Sequence, residues 1–357
     1  MTFNLPLNSL SFGNVSFNIL RTLFERGEEV SVLPIGGTDL SAFNVSEEFM
    51  AWLTSSIERG ITDHSRKDKG LKLWHIQGLS ESFQEQPCSL TFHETDRLTS
   101  VETNILKQQK TVFVTSNYTK KVFENHGLTN VAYCPLGFDG YHFHKTGKRY
   151  LGKNVKTFGL YGKLESRKNT IRILSAWIKK FGNKDNFALN CAISNAFLPE
   201  QQMKSLIAST FPNGEQPFNV NFVDFRKTLE EYNDVLNAAD VDLTGMSSCE
   251  GFNLPTFQSL CLGKWSVCLN AHVHKDFANE SNAILVEPSG TRQAEDGVFF
   301  RQGYFVNQGE WADFSDEDLD IALDKAAELA KTPNPKGEAL AKEFTWDRTV
   351  DTILEHL

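Results

Sequence analysis

Short apolar runs alternating with helix-like stretches fill this chain, and that pattern constrains its fold more than any other feature. Val30-Ser-Val-Leu-Pro34, Leu71-Lys-Leu-Trp-His-Ile76, Cys88-Ser-Leu-Thr-Phe92 and Thr111-Val-Phe-Val-Thr115 are each short enough for a buried strand. Between them lie stretches of helical period, such as the one with Phe17, Leu20 and Phe24 on one face, closed by Gly27. A second series repeats the pattern with Thr157–Tyr161, Ala188–Ile193, Val241–Thr244 and Trp265–Leu269 as strands. Asn169 can cap a helix carrying Ile171, Leu174, Ile178 and Phe181 up to Gly182, a further helix runs from about Leu229 to Ala239, and Pro255 and Gly263 bound another. Strands that alternate with helices require a parallel sheet covered on both faces, so the expected class is α/β.

The two series are separated by residues 141–156, rich in His, Lys, Gly and Tyr and without periodicity. With 357 residues and ~100–200 per domain, this predicts two Rossmann-like domains, 1–145 and 157–340, joined by a linker at 146–156. A final helix, 346–357, is expected to return to the first domain. The tail from Trp311 places Asp313, Asp316, Glu317, Asp318 and Asp320 at the opening of a helix, which reads as a solvated face.

The formal net charge of −9 hides two opposing segments. Glu310 to Ala330 carries eight acids and one Lys, whereas Lys145 to Lys168 carries eight basic residues and only Glu165. The global value therefore excludes no anionic partner. No run approaches the ~18 apolar residues of a membrane span, and the first residues lack the basic and apolar regions of a signal peptide, so a cytoplasmic location is expected. The six cysteines, at 88, 134, 191, 249, 261 and 268, form no CxxC pair and read as buried reduced thiols. His142-x-His144 and His272-x-His274 lack acidic or thiol co-ligands and read as polar loop residues, so no metal is assigned.

Two loops carry the chemistry. Ser247-Ser-Cys-Glu250-Gly-Phe-Asn-Leu-Pro255 joins a strand to a helix, which places the N–H groups of Gly251, Phe252, Asn253 and Leu254 at the positive end of a helix dipole. A phosphate is favoured there. Gly162-Lys163-Leu-Glu-Ser-Arg167-Lys168-Asn169 also follows a strand and precedes a helix, and brings three cations to the same sheet edge. Cations at a helix start oppose the dipole, so an external anion or a structural acid has to compensate them. The acids in Thr91-Phe-His93-Glu94-Thr-Asp96 suggest a polar wall suited to hydroxyl groups, or a simple strand-end turn.

In these residues the chain resembles the retaining glycosyltransferases of the GT-B fold, the family four type (glycosyl transferases group 1). That family marks its donor site with a Gly-Arg-Leu loop ending in Lys, here Gly162-Lys163-Leu164 and Lys168. Its Glu-Gly-Phe-Gly-Leu-Pro segment corresponds to Glu250-Gly-Phe-Asn-Leu-Pro255, and its second Glu, eight residues on, to Gln258. Gly13, His93 and Phe344-Thr-Trp346 fall where the family has a glycine loop, a strand-end His and a Phe/Ser/Trp near the last helix.

The resemblance implies two parallel sheets facing across a cleft, and metal-independent transfer of a hexose from a nucleoside-diphosphate sugar, a UDP-sugar above all, to a hydroxyl with retention and no other cofactor. Lys163 and Lys168 would grip the diphosphate, Glu250 the sugar hydroxyls, His93 the sugar or acceptor, and Gly13 would admit the diphosphate. Gly162, Gly251, Phe252, Asn253, Leu254 and Gln258 would complete the donor site. Lys163 loses the bidentate fork of Arg, Asn253 replaces a Gly, and Gln258 loses the charge of Glu. The acceptor would be a glycan or small molecule, or, because of the basic 145–168 stretch, a modified base in DNA. The departures also leave open a non-catalytic protein that only binds sugar nucleotides.

Overall fold

A computed structural model describes residues 1–152 and 154–357; Lys153, in the expected linker and basic stretch, lies outside the described residues. The first half runs β1 (Thr2–Leu5), α1 (Ser11–Glu25), β2 (Ser31–Pro34), α2 (Glu47–Thr62), β3 (Gly70–Leu73), β4 (Cys88–Thr91), α3 (Ser100–Lys107), β5 (Thr111–Val114), α4 (Asn117–Asn125) and β6 (Val131–Tyr133). The second runs β7 (Lys156–Lys163), α5 (Thr170–Phe181), β8 (Phe187–Ser194), α6 (Glu200–Ala208), β9 (Val220–Phe222), α7 (Leu229–Asn237), β10 (Val241–Asp242), α8 (Leu254–Cys261), β11 (Trp265–Leu269), α9 (His274–Phe277) and β12 (Ile284–Val286). A hairpin of β13 (Gly290–Gln293) and β14 (Glu310–Asp313) follows, and α10 (Asp316–Leu329), α11 (Pro335–Glu343) and α12 (Trp346–His356) end the chain.

These strands form two six-stranded parallel sheets, ordered β2-β1-β3-β4-β5-β6 and β12-β11-β10-β7-β8-β9. In the second sheet the order reverses between β7 and β10, so the loops after those two strands diverge and leave a crevice at the carboxyl edge. Those are the loops that carry Lys163 to Lys168 and Glu250.

Several elements differ from the sequence reading for identifiable reasons. β1, Thr2-Phe-Asn-Leu5, offers no continuous apolar run although it is buried on both faces, because its buried Thr2 and Asn4 are polar and bonded internally, Asn4 to the Leu33 carbonyl at 2.8 Å. Asp313 ends a strand instead of opening a helix, and α10 begins at Asp316 under a Ser315 cap. The acids of α10 are not simply solvated: Asp320 and Asp324 pair with Lys180 of α5, and Arg172 of α5 pairs with Asp313 and Asp316. Gly13 lies inside the first turn of α1, not in a loop before it.

The last helix crosses back to the first sheet. The Thr349 hydroxyl donates to the Pro135 carbonyl at 2.7 Å, and Arg26, just past the end of α1, bonds Asp347 and Asp351. Trp346, Val350 and Ile353 join the same apolar core as Phe3, Leu5 and Leu20. The crossing depends on Gly137, where a Cβ would stand 2.2 Å from the Trp346 nitrogen. Gly137→Ala is therefore expected to lower stability by ~1–3 kcal/mol, read from denaturant midpoints at unchanged m-value.

Candidate active site

The carboxyl edges of the two sheets meet around Glu250. The loop after β10 passes through Thr244 to Cys249, wholly buried, and delivers the Glu250 carboxylate to the turn before α8. That turn needs Asn253 in the left-handed region, at φ 66°. Asn tolerates this conformation better than most residues, so the Gly of the family motif is not required. The Asn253 amide donates to the Thr244 carbonyl and to Nε2 of His274, whose Nδ1 faces the Leu269 carbonyl 3.0 Å away. His274 thus carries its proton on Nδ1 and is a buried structural residue, and burial holds it neutral down to about 4. His142 is buried as well, its ring bridging Asp139 and the Asn44 N–H. These two histidines are not loop decoration, in contrast to the sequence reading.

Glu250 is held on both sides. One oxygen bonds Lys168 and accepts from the Ser247 hydroxyl at 2.7 Å; the other takes Arg167 at 2.9 Å. Arg167 also reaches Glu165 at 2.7 Å, the Cys249 carbonyl and, across the cleft, Glu94 at 3.1 Å. Burial works against the charge on Glu250, but Arg167 and Lys168 outweigh it and hold the carboxyl well below the usual carboxylate range. Burial likewise opposes the Arg167 charge and is outweighed by Glu250, Glu94 and Glu165.

Two cations here face three carboxylates, so one negative charge is in excess. It falls on Glu94, which burial, then Glu250 and Glu165, push above the usual range against the pull of Arg167. Arg167 is the member that sequence reading missed: its cation was visible in the loop, but of its three acids only Glu165 shares that loop, while Glu250 and Glu94 lie on separate segments.

The remaining expected residues divide. Gly251 is brought to the cluster, pressed so closely to the first half that a Cβ would stand 2.6 Å from that of Phe92, while Thr115 donates to its carbonyl at 2.5 Å. Among the described residues, the N–H groups of Gly251 to Leu254 donate to no protein group. Phe252 is buried, packing on Phe257 and Phe277. Gly162 takes a φ of 101° beside the Lys168 side chain. Gln258 is 4 % exposed on α8 and makes no side-chain hydrogen bond among the described residues. Lys163 is exposed, with its ammonium 5.6 Å from the rings of both Phe197 and Phe299, and near enough to His75 of the first half to help burial suppress that imidazole's charge.

The structure does not bring His93 or Gly13 into this cluster. The His93 ring is buried against Phe123, with Nε2 bonded to the Arg97 carbonyl and the Thr95 hydroxyl. At Gly13 a Cβ would strike the Asn8 carbonyl at 1.9 Å, so the glycine serves the helix start itself.

The basic stretch is largely neutralised from within. Lys145 pairs with Glu338, Lys148 with Asp234 and Arg149 with Asp240, besides the Arg167 and Lys168 pairs. Among its described basic residues only Lys156 and Lys163 make no ion pair, and Lys156 donates to the Ala327 carbonyl. All six cysteines are buried and unpaired, no group of three or more potential metal ligands occurs among the described residues, and none of their helices is long and apolar enough to cross a membrane.

No protein-family model and no curated protein matches the sequence. Solved structures do match over nearly the whole chain. A sucrose-phosphate synthase from Thermosynechococcus elongatus superposes with a TM-score of 0.71 at 13% identity, covering 99% of this chain and 97% of that one. Anabaena HepE, solved with UDP, gives 0.67 at 12% identity with 99% of both chains covered. The catalytic domain of starch synthase IV from Arabidopsis thaliana, bound to ADP and acarbose, gives 0.64 at 9% identity, covering 99% of this chain and 97% of that one. The chain therefore has the GT-B fold: two parallel α/β sheets facing across a cleft.

The ion cluster makes a prediction about stability. Removing one partner of a buried pair strands the other, so Glu250→Gln should cost ~3–5 kcal/mol in denaturant unfolding at neutral pH. Glu94→Gln removes the excess negative charge and should cost under ~1 kcal/mol. Because the Glu250 carboxyl is depressed, the stability it confers is present above the unfolded carboxylate value, ~4.3, and is lost as pH falls below it.

Proposed function

We propose that this chain is a metal-independent, retaining hexosyltransferase that takes a nucleoside-diphosphate sugar, a UDP-sugar above all, and passes the hexose to a hydroxyl of a glycan or small molecule. One observation carries this reading: Glu250 is clamped by Lys168 and Arg167 beside the unbonded N–H groups of Gly251 to Leu254, at the crevice between β7 and β10. Support also comes from the fold likeness to HepE, solved with UDP and with UDP-glucose.

In this reading the diphosphate lies on the α8 N–H groups and on Lys168 and Lys163, whose charges stabilise the departing nucleoside diphosphate. Glu250, its charge enforced by its partners, accepts from the sugar hydroxyls. The buried Gln258 amide, without a bond of its own, takes a ribose hydroxyl. The bond from the anomeric carbon to phosphate breaks as the bond to the acceptor oxygen forms on the same face, and the acceptor proton leaves on the phosphate. Residues 1–145 form the acceptor side and 157–340 the donor side, linked through 146–156, with 346–357 fastened to the first. The unpaired thiols fit a reducing, cytosolic compartment.

The test is release of nucleoside diphosphate from a panel of UDP-, GDP- and ADP-sugars. Turnover with at least one donor is expected, unchanged by a chelator and at least ~100-fold lower in Lys168→Ala. Equal turnover in wild type and Lys168→Ala would refute the site; loss on chelation would refute metal independence.

A further inference from the structure

A cavity of about 320 Å³ opens at the outer edge of the second sheet, away from the Glu250 cluster. Its floor is made by Asn190 of β8 and Asn221 of β9, which stand side by side in register. Tyr150 and Leu151, in the connection between the two halves, form one wall, and Phe222, Val223, Asp224 and Arg226, at the end of β9 and just after it, form the other. Asn190 also pairs with Gly159 of β7, four positions before the Lys163–Ser194 pair at the carboxyl edge. The floor therefore lies ~13 Å back along the strands from that edge.

Two polar side chains in this lining are incomplete. Asn190 is 1 % exposed, and its Oδ1 accepts from the Asn221 amide at 3.3 Å, but its Nδ2 has no acceptor among the described residues. The Arg226 guanidinium, with its Nε buried, makes neither a hydrogen bond nor an ion pair among them. One strand inward the Tyr161 hydroxyl is orphaned too, so close over Gly159 that a Cβ there would stand 1.8 Å from it. Buried donors without acceptors carry a desolvation cost, and they persist where something else completes them.

The lining also says what would complete them. Leu151, Phe222 and Val223 are apolar, and the Tyr150 ring lies near enough to Arg226 to feel its charge. Arg226 is the one cation of the lining and Asp224 the one acid, while nearby Lys148 is already paired with Asp234. That balance accommodates a single negative charge and disfavours the two or more of a phosphate monoester or a nucleoside diphosphate. A guanidinium with free N–H groups matches the two oxygens of a carboxylate.

The geometry points to a second binding site in this half, for a small monocarboxylate with a flat apolar body. The carboxylate lies on the Arg226 fork, an oxygen of the ligand accepts from Asn190 Nδ2, and the body packs on Tyr150, Leu151 and Phe222. No residue assigned to the donor site lines the cavity, so this inference stands apart from the transferase reading.

The test is calorimetric titration of the full chain with benzoate, salicylate and cinnamate, against benzamide as the neutral counterpart and phenyl phosphate as the dianion. We expect at least one of the three carboxylates to bind saturably with a Kd at or below ~1 mM, and benzamide and phenyl phosphate to bind at least about tenfold more weakly. Arg226→Ala and Asn190→Leu should each weaken the best carboxylate at least about tenfold, with the melting temperature of Arg226→Ala unchanged because no internal bond is lost. No saturable carboxylate binding, or binding unaltered in Arg226→Ala, would mean that the cavity holds only water and would overturn the inference. Phenyl phosphate binding as tightly as the best carboxylate would overturn the choice of ligand. Should Asn190→Leu fail to fold, Tyr150→Ala takes its place, with the same loss expected and unaltered binding counting against the site.

Discussion

The Glu250 carboxylate, gripped by Arg167 and Lys168 in a buried pocket, is the interaction around which the two halves of this protein are arranged. An ionised group at that depth survives only if it is paired and hydrogen-bonded, and here Arg167, Lys168 and Ser247 all bond it. Those partners come from the loop after β7 and from the loop after β10, so the pairing ties together the two strands that flank the crevice. Moving either loop would strand a charge. The crevice is thus pre-shaped by electrostatics that are internal to the protein.

The same network reaches across the cleft. Arg167 bonds Glu94, Thr115 bonds the Gly251 carbonyl, and Asp276 accepts from the Asn117 N–H at 2.8 Å, all joining the first half to the second. Gly251 permits this approach because Phe92 occupies the space a side chain would need. Glu94 carries the surplus negative charge of the cluster. In the proposed function an incoming diphosphate would meet this surplus charge, and the α8 N–H groups, Lys168 and Lys163 would have to outweigh it.

Much of this was legible in the sequence, wherever local pattern and tertiary role agree. Thr111–Thr115 and Trp265–Leu269 read as strands because they are apolar and buried on both faces, and the Gly162 and Glu250 loops stood out because cations and an acid sit where strands end. What escaped was set by distant partners. β1 hid behind Thr2 and Asn4, whose polarity is absorbed by bonds to residues outside their strand. Arg167 looked like one cation in a basic turn, since its acids lie up to 83 positions away at Glu250 and across the cleft at Glu94. His93 and Gly13 matched family positions in sequence, but their surroundings here, the Arg97 carbonyl and the Asn8 backbone, give them local structural tasks. His272 and His274 sit two residues apart and read alike, yet both ring nitrogens of His274 are tied down by Asn253 and the Leu269 carbonyl, whereas the ring of His272 packs edge-on against Tyr118.

The central claim is that the clamp around Glu250 and the start of α8 form a site for a nucleotide diphosphate. Calorimetric titration with UDP, UDP-glucose and uridine tests it most directly. The account predicts one saturable site per chain for UDP and UDP-glucose, with uridine weaker by at least about tenfold because it lacks the anion. Uridine binding as tightly as UDP, or no saturable binding of either nucleotide, would contradict it.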